Sequence, residues 1–253
     1  MAIPIDEHTL LLLHGEEIKD SSPFNVPITN NGIQVRTAQS KFGGKSLYFN
    51  GNSRILFPQN AVSFKDNNFT IDWWENCESG SLARFCTSWD NWGGLLIGFQ
   101  GTYVYCGSAA NSWDIVTGTQ MIDNSYNQWV HWAIVRYGNI LTSYKNGKKF
   151  AQVSVNGAVW DSGGRAVIGD YASQGPNSFK GYIDEFRVSD TARWTTDFTP
   201  PTEPYTEIPD FSYKTQVPLG TSKKIYARLY PQSYDEYFQT DLTGATVDLT
   251  LNN

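Results

Sequence analysis

The chain has 253 residues, 40% of them hydrophobic and 17% charged, and a net charge of −6. It is too apolar and too weakly charged for disorder. It also lacks the clustered Lys/Arg surface that nucleic acid requires, because Lys148-Lys149 and Lys223-Lys224 are isolated pairs. The length fits one large domain with an appendage. The one strongly apolar run, Leu10 to Leu13, is too short for a membrane span or for a signal-peptide core. No membrane insertion and no passage through a secretion channel are therefore expected.

No stretch shows a clean 3.6-residue apolar period. Short strand-like runs between turn residues recur instead, which is the pattern of an all-β sandwich or barrel. Residues 9–13 open the series. Asn30-Asn31-Gly32 reads as a turn before a strand at 33–36. Strands at 46–49 and 54–57 follow, joined by Asn50-Gly51, a step that supplies positive φ at low cost. In 69–74, Phe69, Ile71 and Trp73 take one face, and Thr70, Asp72 and Trp74 the other. Runs 95–99 and 102–106 flank Gln100-Gly101 as a hairpin. The longest candidate, 128–136, leads into 140–144 and then the turn Lys145-Asn146-Gly147-Lys148. Runs 165–169 and 179–188 complete about a dozen strands, with no helix longer than a turn or two.

Pro200, Pro201, Pro204 and Pro209 mark a boundary, since proline lacks the N–H for a sheet ladder. Residues 1–205 form the sandwich and 206–253 a proline-led β extension. Runs 211–217, 224–230 and 245–251 are its strand candidates. The extension is too small for a core of its own, so it leans on the main domain, another subunit or a partner. Cys77, Cys86 and Cys106 form no zinc spacing and read as three reduced thiols, with a Cys77–Cys86 bridge as the alternative.

Six segments in order carry a family resemblance. They are Leu10 to Gly15 with Asp20-Ser21-Ser22, then Phe42-Gly43-Gly44-Lys45-Ser46-Leu47-Tyr48-Phe49, then Phe69-Thr70-Ile71-Asp72-Trp73-Trp74. Next come Trp129-Val130-His131-Trp132-Ala133-Ile134-Val135-Arg136, then Phe179 to Val188, and last Ala192-Arg193-Trp194 with Phe198-Thr199-Pro200-Pro201. Together they resemble the laminin-G-like, concanavalin A-like lectin/glucanase group across residues 8–205. The resemblance implies a jelly roll of two antiparallel sheets, and leaves function to the sites. Residues 241–251 resemble a segment of small β domains in phage baseplate and tail proteins, and the closing motif of the main domain is of a kind common in phage tail proteins.

Some glucanases of this group carry Glu-x-Asp-x-x-Glu on one strand, and retaining hydrolysis needs two carboxyls about 5 Å apart. Here Asp72 and Glu75 are in place, but Thr70 stands at the first position and cannot replace a carboxylate nucleophile. Asp72 and Glu75 read instead as a strand end and a turn. His131, between tryptophans, reads as a satisfied structural histidine rather than a base. The resemblance also offers a structural calcium, with Asp20 and Asp184 as ligands and backbone carbonyls filling the shell. The plainer reading is that Asp184 caps loop amides and Asp20 starts an Asx-turn. No other cofactor is required.

Carbohydrate contact rests on rings beside polar forks. Trp89-Asp90-Asn91-Trp92 offers two rings, a carboxylate and an amide within four residues, and Trp113 and Tyr171 are secondary candidates. Alternatively, Trp89 and Trp92 plug the sandwich edge or a subunit contact. The favoured reading is a non-enzymatic phage virion protein: a tail fibre, baseplate or capsid-decorating subunit made in the host cytoplasm. It would form a homo-oligomer and join other virion proteins through 206–253, with host surface glycans as a second partner. A free carbohydrate-binding lectin domain is the alternative, and a glycoside hydrolase ranks last.

Overall fold

A computed structural model describes residues 4–78, 83–171 and 178–207. The chain divides into two compact units, Met1–Pro209 and Asp210–Asn253. The strand candidates at 211–217, 224–230 and 245–251 lie outside the described residues. Among the described residues, no helix is long and apolar enough to cross a membrane.

The first unit is a sandwich of two antiparallel sheets. The eight-stranded sheet runs Lys148–Ser154, Ile140–Lys145, Trp129–Tyr137, Phe69–Cys77, Lys180–Ser189, Ser46–Asn50, Gln34–Arg36, with Thr9–Leu13 also paired to Lys180–Ser189. The seven-stranded sheet runs Val116–Gln120, Tyr103–Cys106, Leu95–Phe99, Phe85–Cys86, Arg165–Ile168, Arg54–Pro58, Thr29–Asn31. In each sheet a run of sequential strands lies beside strands distant in sequence, such as Phe69–Cys77 next to Lys180–Ser189, as a jelly roll requires. Phe69, Ile71 and Trp73 face the core with Ile55, Phe57, Phe85 and Ile97 of the opposite sheet. Each such side chain contributes roughly 1.5–3 kcal/mol of burial.

The hairpin turns form as expected. Gln100 and Gly101 have φ of 49° and 85°, and Asn146 and Gly147 have 49° and 75°. Positive φ at both central residues matches the right-handed twist of the flanking strands. Several expectations are corrected. The described residues form 17 strands rather than a dozen. The extra ones include two-residue pieces such as Phe85–Cys86, too short to show a period. Asn30 and Asn31 belong to a strand paired with Arg54–Pro58, not to a turn. Lys180–Ser189, with 10 residues, is longer than Trp129–Tyr137.

Lys180–Ser189 also contains a bulge. Asp184 pairs with Trp74 and Arg187 with Asp72, so Glu185 and Phe186 together oppose one residue. The extra residue lets Ile183 and Phe186, three positions apart, both face the core. Glu185 sits at φ 51°, a strained conformation for a side chain of its size. It is held there by His14 Nδ1 at 2.8 Å and by the Tyr205 amide at 2.9 Å.

The segment after Ser189 straps the outer face of the eight-stranded sheet. Trp194 and Phe198 stack at 3.9 Å, and both stand edge-on to His131. Ala133, Val135 and Tyr144 lie beneath them. Arg193 clamps Asp6 through Nη1 and Nη2 at 3.0 and 2.6 Å. Beyond the prolines, Thr206–Glu207 pairs in parallel with Pro4–Ile5. All three cysteines are buried and none is in a disulfide, so Cys77 and Cys86 are not bridged. Burial pushes the thiols of Cys86 and Cys106 up to about 12.

Candidate functional site

The loop from Ser88 to Gly94 leaves the seven-stranded sheet between Phe85–Cys86 and Leu95–Phe99. It is pinned on several sides. Ser88 Oγ donates to the Asn91 carbonyl at 2.6 Å, and the Trp89 amide donates to the Arg165 carbonyl at 2.7 Å. Asp90 accepts Arg165 Nη2 at 2.5 Å and Nε at 3.2 Å, a forked geometry. Side-chain hydrogen bonding from Arg165 holds the Asp90 carboxyl below its ordinary range. The Trp92 carbonyl accepts the Asn111 amide at 2.5 Å.

Gly93 makes this closeness possible. Its φ is +126°, and a Cβ there would lie 2.4 Å from the Ala109 carbonyl oxygen and 2.8 Å from the Trp160 ring. Gly93→Ala is therefore expected to displace the loop tip and shift the NMR signals of Trp92 and Trp160, while the signals of core strand Phe69–Cys77 stay put. Unchanged Trp92 and Trp160 signals would show that the loop yields freely.

The two tryptophans of this loop part company. Trp89 is buried and lies under the Arg54 guanidinium at 4.6 Å. It joins Leu56, Cys86, Leu96 and Val167 in covering the outer face of the seven-stranded sheet, so it plugs that face. Trp92 is 57% exposed. Asn91 uses its carbonyl to hold the turn.

Trp113 and Tyr171, far apart in sequence, join the Trp89 cluster. Tyr171, Phe99, Tyr105 and Trp113 form a row of edge-to-face contacts with centroids 5.4, 5.3 and 5.6 Å apart. Asp170 beside Tyr171 meets Arg54 Nη1 at 3.2 Å and Ser178 Oγ at 2.9 Å. Burial raises the Asp170 carboxyl. Sequence reasoning missed Arg54, Phe99 and Tyr105. For Arg54 and Tyr105 a signal existed, because each alternates with core residues, Ile55 and Phe57 or Val104 and Cys106, and so must point outward. Phe99 follows Gly98 at φ 92°, an irregularity that alternation does not foresee.

The acids of the glucanase comparison are placed differently from expectation. Asp72 and Glu75 both lie inside Phe69–Cys77 and are buried. They point to opposite faces of the strand. Glu75 faces the sandwich interior, where Arg84 Nε and Nη2 hold it at 3.1 and 3.0 Å and Trp73 Nε1 donates at 2.8 Å. Asp72 lies under the strap with Arg187 Nε at 3.0 Å and the Tyr205 hydroxyl. Two carboxylates on opposite faces do not flank one glycosidic bond.

His131 is structural but not satisfied. It is fully buried, neither ring nitrogen makes a well-formed hydrogen bond, and Nε2 stands 3.4 Å from Asp72 Oδ2. Burial lowers its pKa against the pull of Asp72.

Asp20 and Asp184 do separate work. Asp20 Oδ1 accepts the Leu12 and Ser22 amides at 2.8 and 2.9 Å, and Oδ2 accepts Ser22 Oγ and the Val26 amide at 2.6 and 2.7 Å. All of its roughly four acceptor sites are used, so it does not fit the shell of a hard cation. Asp184 Oδ2 caps the amides of Lys41 and Phe42 at 2.9 and 3.1 Å, leaving Oδ1 buried without a partner. Among the described residues, no three His, Cys, Asp or Glu side chains gather to hold a metal.

The fold and this loop-bearing face define a lectin-type jelly-roll sandwich. Residues 29–197 match the laminin G-like family described as the concanavalin A-like lectin/glucanases superfamily, and the chain belongs to that family. No curated protein matches the sequence. Among solved structures, the chain resembles the binding domain of Paraclostridial Mosquitocidal Protein 1, with TM-score 0.57 and 16% identity over 74% of this chain and 49% of that one. It also resembles Domain 4 of AbnA, a GH43 extracellular arabinanase from Geobacillus stearothermophilus, solved in complex with arabinotriose. There the TM-score is 0.55 and identity 19%, over 73% of this chain and 93% of that one. The botulinum neurotoxin serotype D/C binding domain gives TM-score 0.55 and 15% identity, over 74% of this chain and 50% of that one. The chain thus spans about half the length of these toxin domains. At such identities the likeness concerns the fold.

Proposed function

We propose that the sandwich is a non-catalytic adhesion module that contacts surface glycans through the Trp92 loop, and that it serves as a structural subunit of a phage virion. The observation that carries the glycan reading is the exposure of Trp92 on a loop pinned by Arg165, Asn111 and Gly93. An exposed indole on a pinned backbone offers a ring face to the C–H face of a sugar. The neighbouring Asp90–Arg165 fork supplies polar partners for hydroxyls. A domain of this fold solved with arabinotriose is consistent with this reading. The opposed faces of Asp72 and Glu75 speak against hydrolysis. The reading requires no cofactor.

The virion assignment rests on the phage-like closing motif and on residues 241–251. It would make the protein a tail fibre, baseplate or capsid-decorating subunit that assembles through 206–253. A free lectin domain is the competing reading, and the oligomeric state separates the two: an oligomer lost on deleting 206–253 supports the subunit, and a monomer supports the free lectin.

A glycan array tests the contact itself. Trp92→Ala is expected to abolish the hits of the parent protein while changing stability by no more than about 0.5 kcal/mol, as for an exposed side chain. Trp89→Ala is expected to cost about 3–5 kcal/mol of stability, because it empties a buried ring site. Hits that survive Trp92→Ala overturn the assignment of the loop.

A further inference from the structure

A second concavity lies where the loop after Gln59–Val62 meets the start of the strap. It is a cleft of about 390 Å³, lined by Ser63, Phe64, Asn67, Asn68, Asp190 and Thr191. Its size is at the small end of ligand sites, roughly 300–1,000 Å³. The loop that forms one wall is rigidly held. The Lys65 carbonyl accepts the Val159 amide and Arg136 Nη1, each at 2.8 Å. The Asn68 side-chain oxygen accepts the Gly138 amide at 2.8 Å, which ties the loop to the turn after Tyr137. Phe64 stacks on Phe69 at 4.2 Å beneath.

The polar groups of the lining have capacity to spare. The side chains of Asn67 and Thr191 serve no other group among the described residues. Asn68 keeps its amide hydrogens, and Ser63 Oγ, which donates to Asp161, keeps its acceptor lone pairs. Asp190 carries the only formal charge of the lining, and His8 Nδ1 stands 2.8 Å from it. No Lys or Arg lines the cleft, so it offers no positive charge to a phosphate or a carboxylate, and Asp190 repels both. Amides and hydroxyls that both donate and accept match a ligand whose groups do the same. One residue before Gly138 stands Tyr137, 61% exposed, the most exposed of the large hydrophobic side chains described.

We propose that this cleft is a second binding site, separate from the Trp92 loop, and that it takes a single neutral sugar residue through its hydroxyls. Asn67 and Thr191 are the side chains free to bind it, and Phe64 is the apolar member of the lining. Nothing in the proposal depends on the Trp92 loop.

The test is NMR titration of the full-length protein with the methyl glycosides of glucose, galactose and N-acetylglucosamine, following the side-chain amides of Asn67 and Asn68 and the indole of Trp92. At least one glycoside is expected to shift the Asn67 and Asn68 signals saturably, in the parent and in Trp92→Ala alike. Asn67→Ala and Thr191→Ala are each expected to weaken that binding about fivefold, the loss of one hydrogen bond, without moving the thermal midpoint. The Asn68 amide reports the binding in the Asn67→Ala protein. The proposal is overturned if all three glycosides leave both amides unmoved, if the shifts fail to saturate, or if both substitutions leave the affinity unchanged. The Trp92 indole answers for the first site on its own: its silence with responding Asn67 and Asn68 amides refutes the loop and keeps the cleft.

Discussion

Arg84→Met is expected to lower the unfolding free energy by about 3–5 kcal/mol, the loss that follows when one member of a buried ion pair is removed. Urea denaturation at neutral pH reads it directly. Glu75 projects inward from Phe69–Cys77 of the eight-stranded sheet, and Arg84 immediately precedes Phe85–Cys86 of the seven-stranded sheet. The guanidinium therefore joins the two layers across the core. Its Nη1 also holds the Gly101 carbonyl at 2.8 Å, and Nη2 reaches Asn124 Oδ1 at 2.9 Å. Removing Arg84 strands a carboxylate that is 1% exposed. Replacing both partners, Arg84→Met with Glu75→Leu, is expected to recover most of the loss, since no uncompensated charge then remains. If the single substitution changed stability by less than about 1 kcal/mol, as for an exposed pair, the pair would not be the strut described.

The second large effect is on acid stability, and it centres on the strap. His131 lies among Trp74, Trp194 and Phe198, with Asp72 and Arg187 beside it. Its folded pKa lies below the ordinary 6.5, because burial outweighs the pull of Asp72. Above 6.5 the imidazole is neutral in both states, and its contribution to stability is whole. As the pH falls below 6.5 the unfolded chain takes up the proton first, so the contribution of His131 drops by about 1.4 kcal/mol per pH unit until its folded pKa is passed. Burial alone would raise the Asp72 carboxyl, but Arg187, His131 and Tyr205 together hold it at about 2. Its contribution is present above the ordinary 3.8 and is lost as the pH falls from there through about 2.

His131→Phe keeps a ring in the same aromatic surroundings and removes the titration. Both proteins share the remaining titrations, including that of Asp184, whose carboxyl burial pushes up to about 7, so the stability of the variant relative to the parent is expected to rise as the pH falls below 6.5. Tryptophan fluorescence during denaturation at a series of pH values measures both curves. Parallel curves would mean that His131 takes no part in acid sensitivity.

Much of the fold could be read along the chain. Alternation in 69–74 placed Phe69, Ile71 and Trp73 together on one face, because a strand has a period of two, and the structure turns that face to the core. Gln100-Gly101 and Asn146-Gly147 marked their hairpins, because a two-residue turn demands positive φ at both central positions. Pattern reading failed where the backbone breaks its own period. The Glu185 bulge shifts every later residue of its strand to the other face. Thr29–Asn31 is a polar edge strand with no buried side to leave a trace. Phe85–Cys86 is too short to have a period at all.

The sequence by itself determined the sandwich and its order of motifs, and it offered side chains of the kinds that bind sugars, since these follow from local periodicity, turn chemistry and side-chain type. Only the tertiary structure decided what those residues do. Three positions in one loop separate Trp89 from Trp92, and whether either ring is sunk or presented depends on what the loop packs against. Trp89 found the outer face of a sheet whose strands come from distant segments, while Trp92 was held in water by Arg165, Asn111 and the space Gly93 leaves. Glu75 found Arg84 and became a strut, and Asp20 found three donors in its own loop and a fourth in the Leu12 amide of the preceding strand. Burial and partnership are properties of the packed chain, and no local pattern contains them.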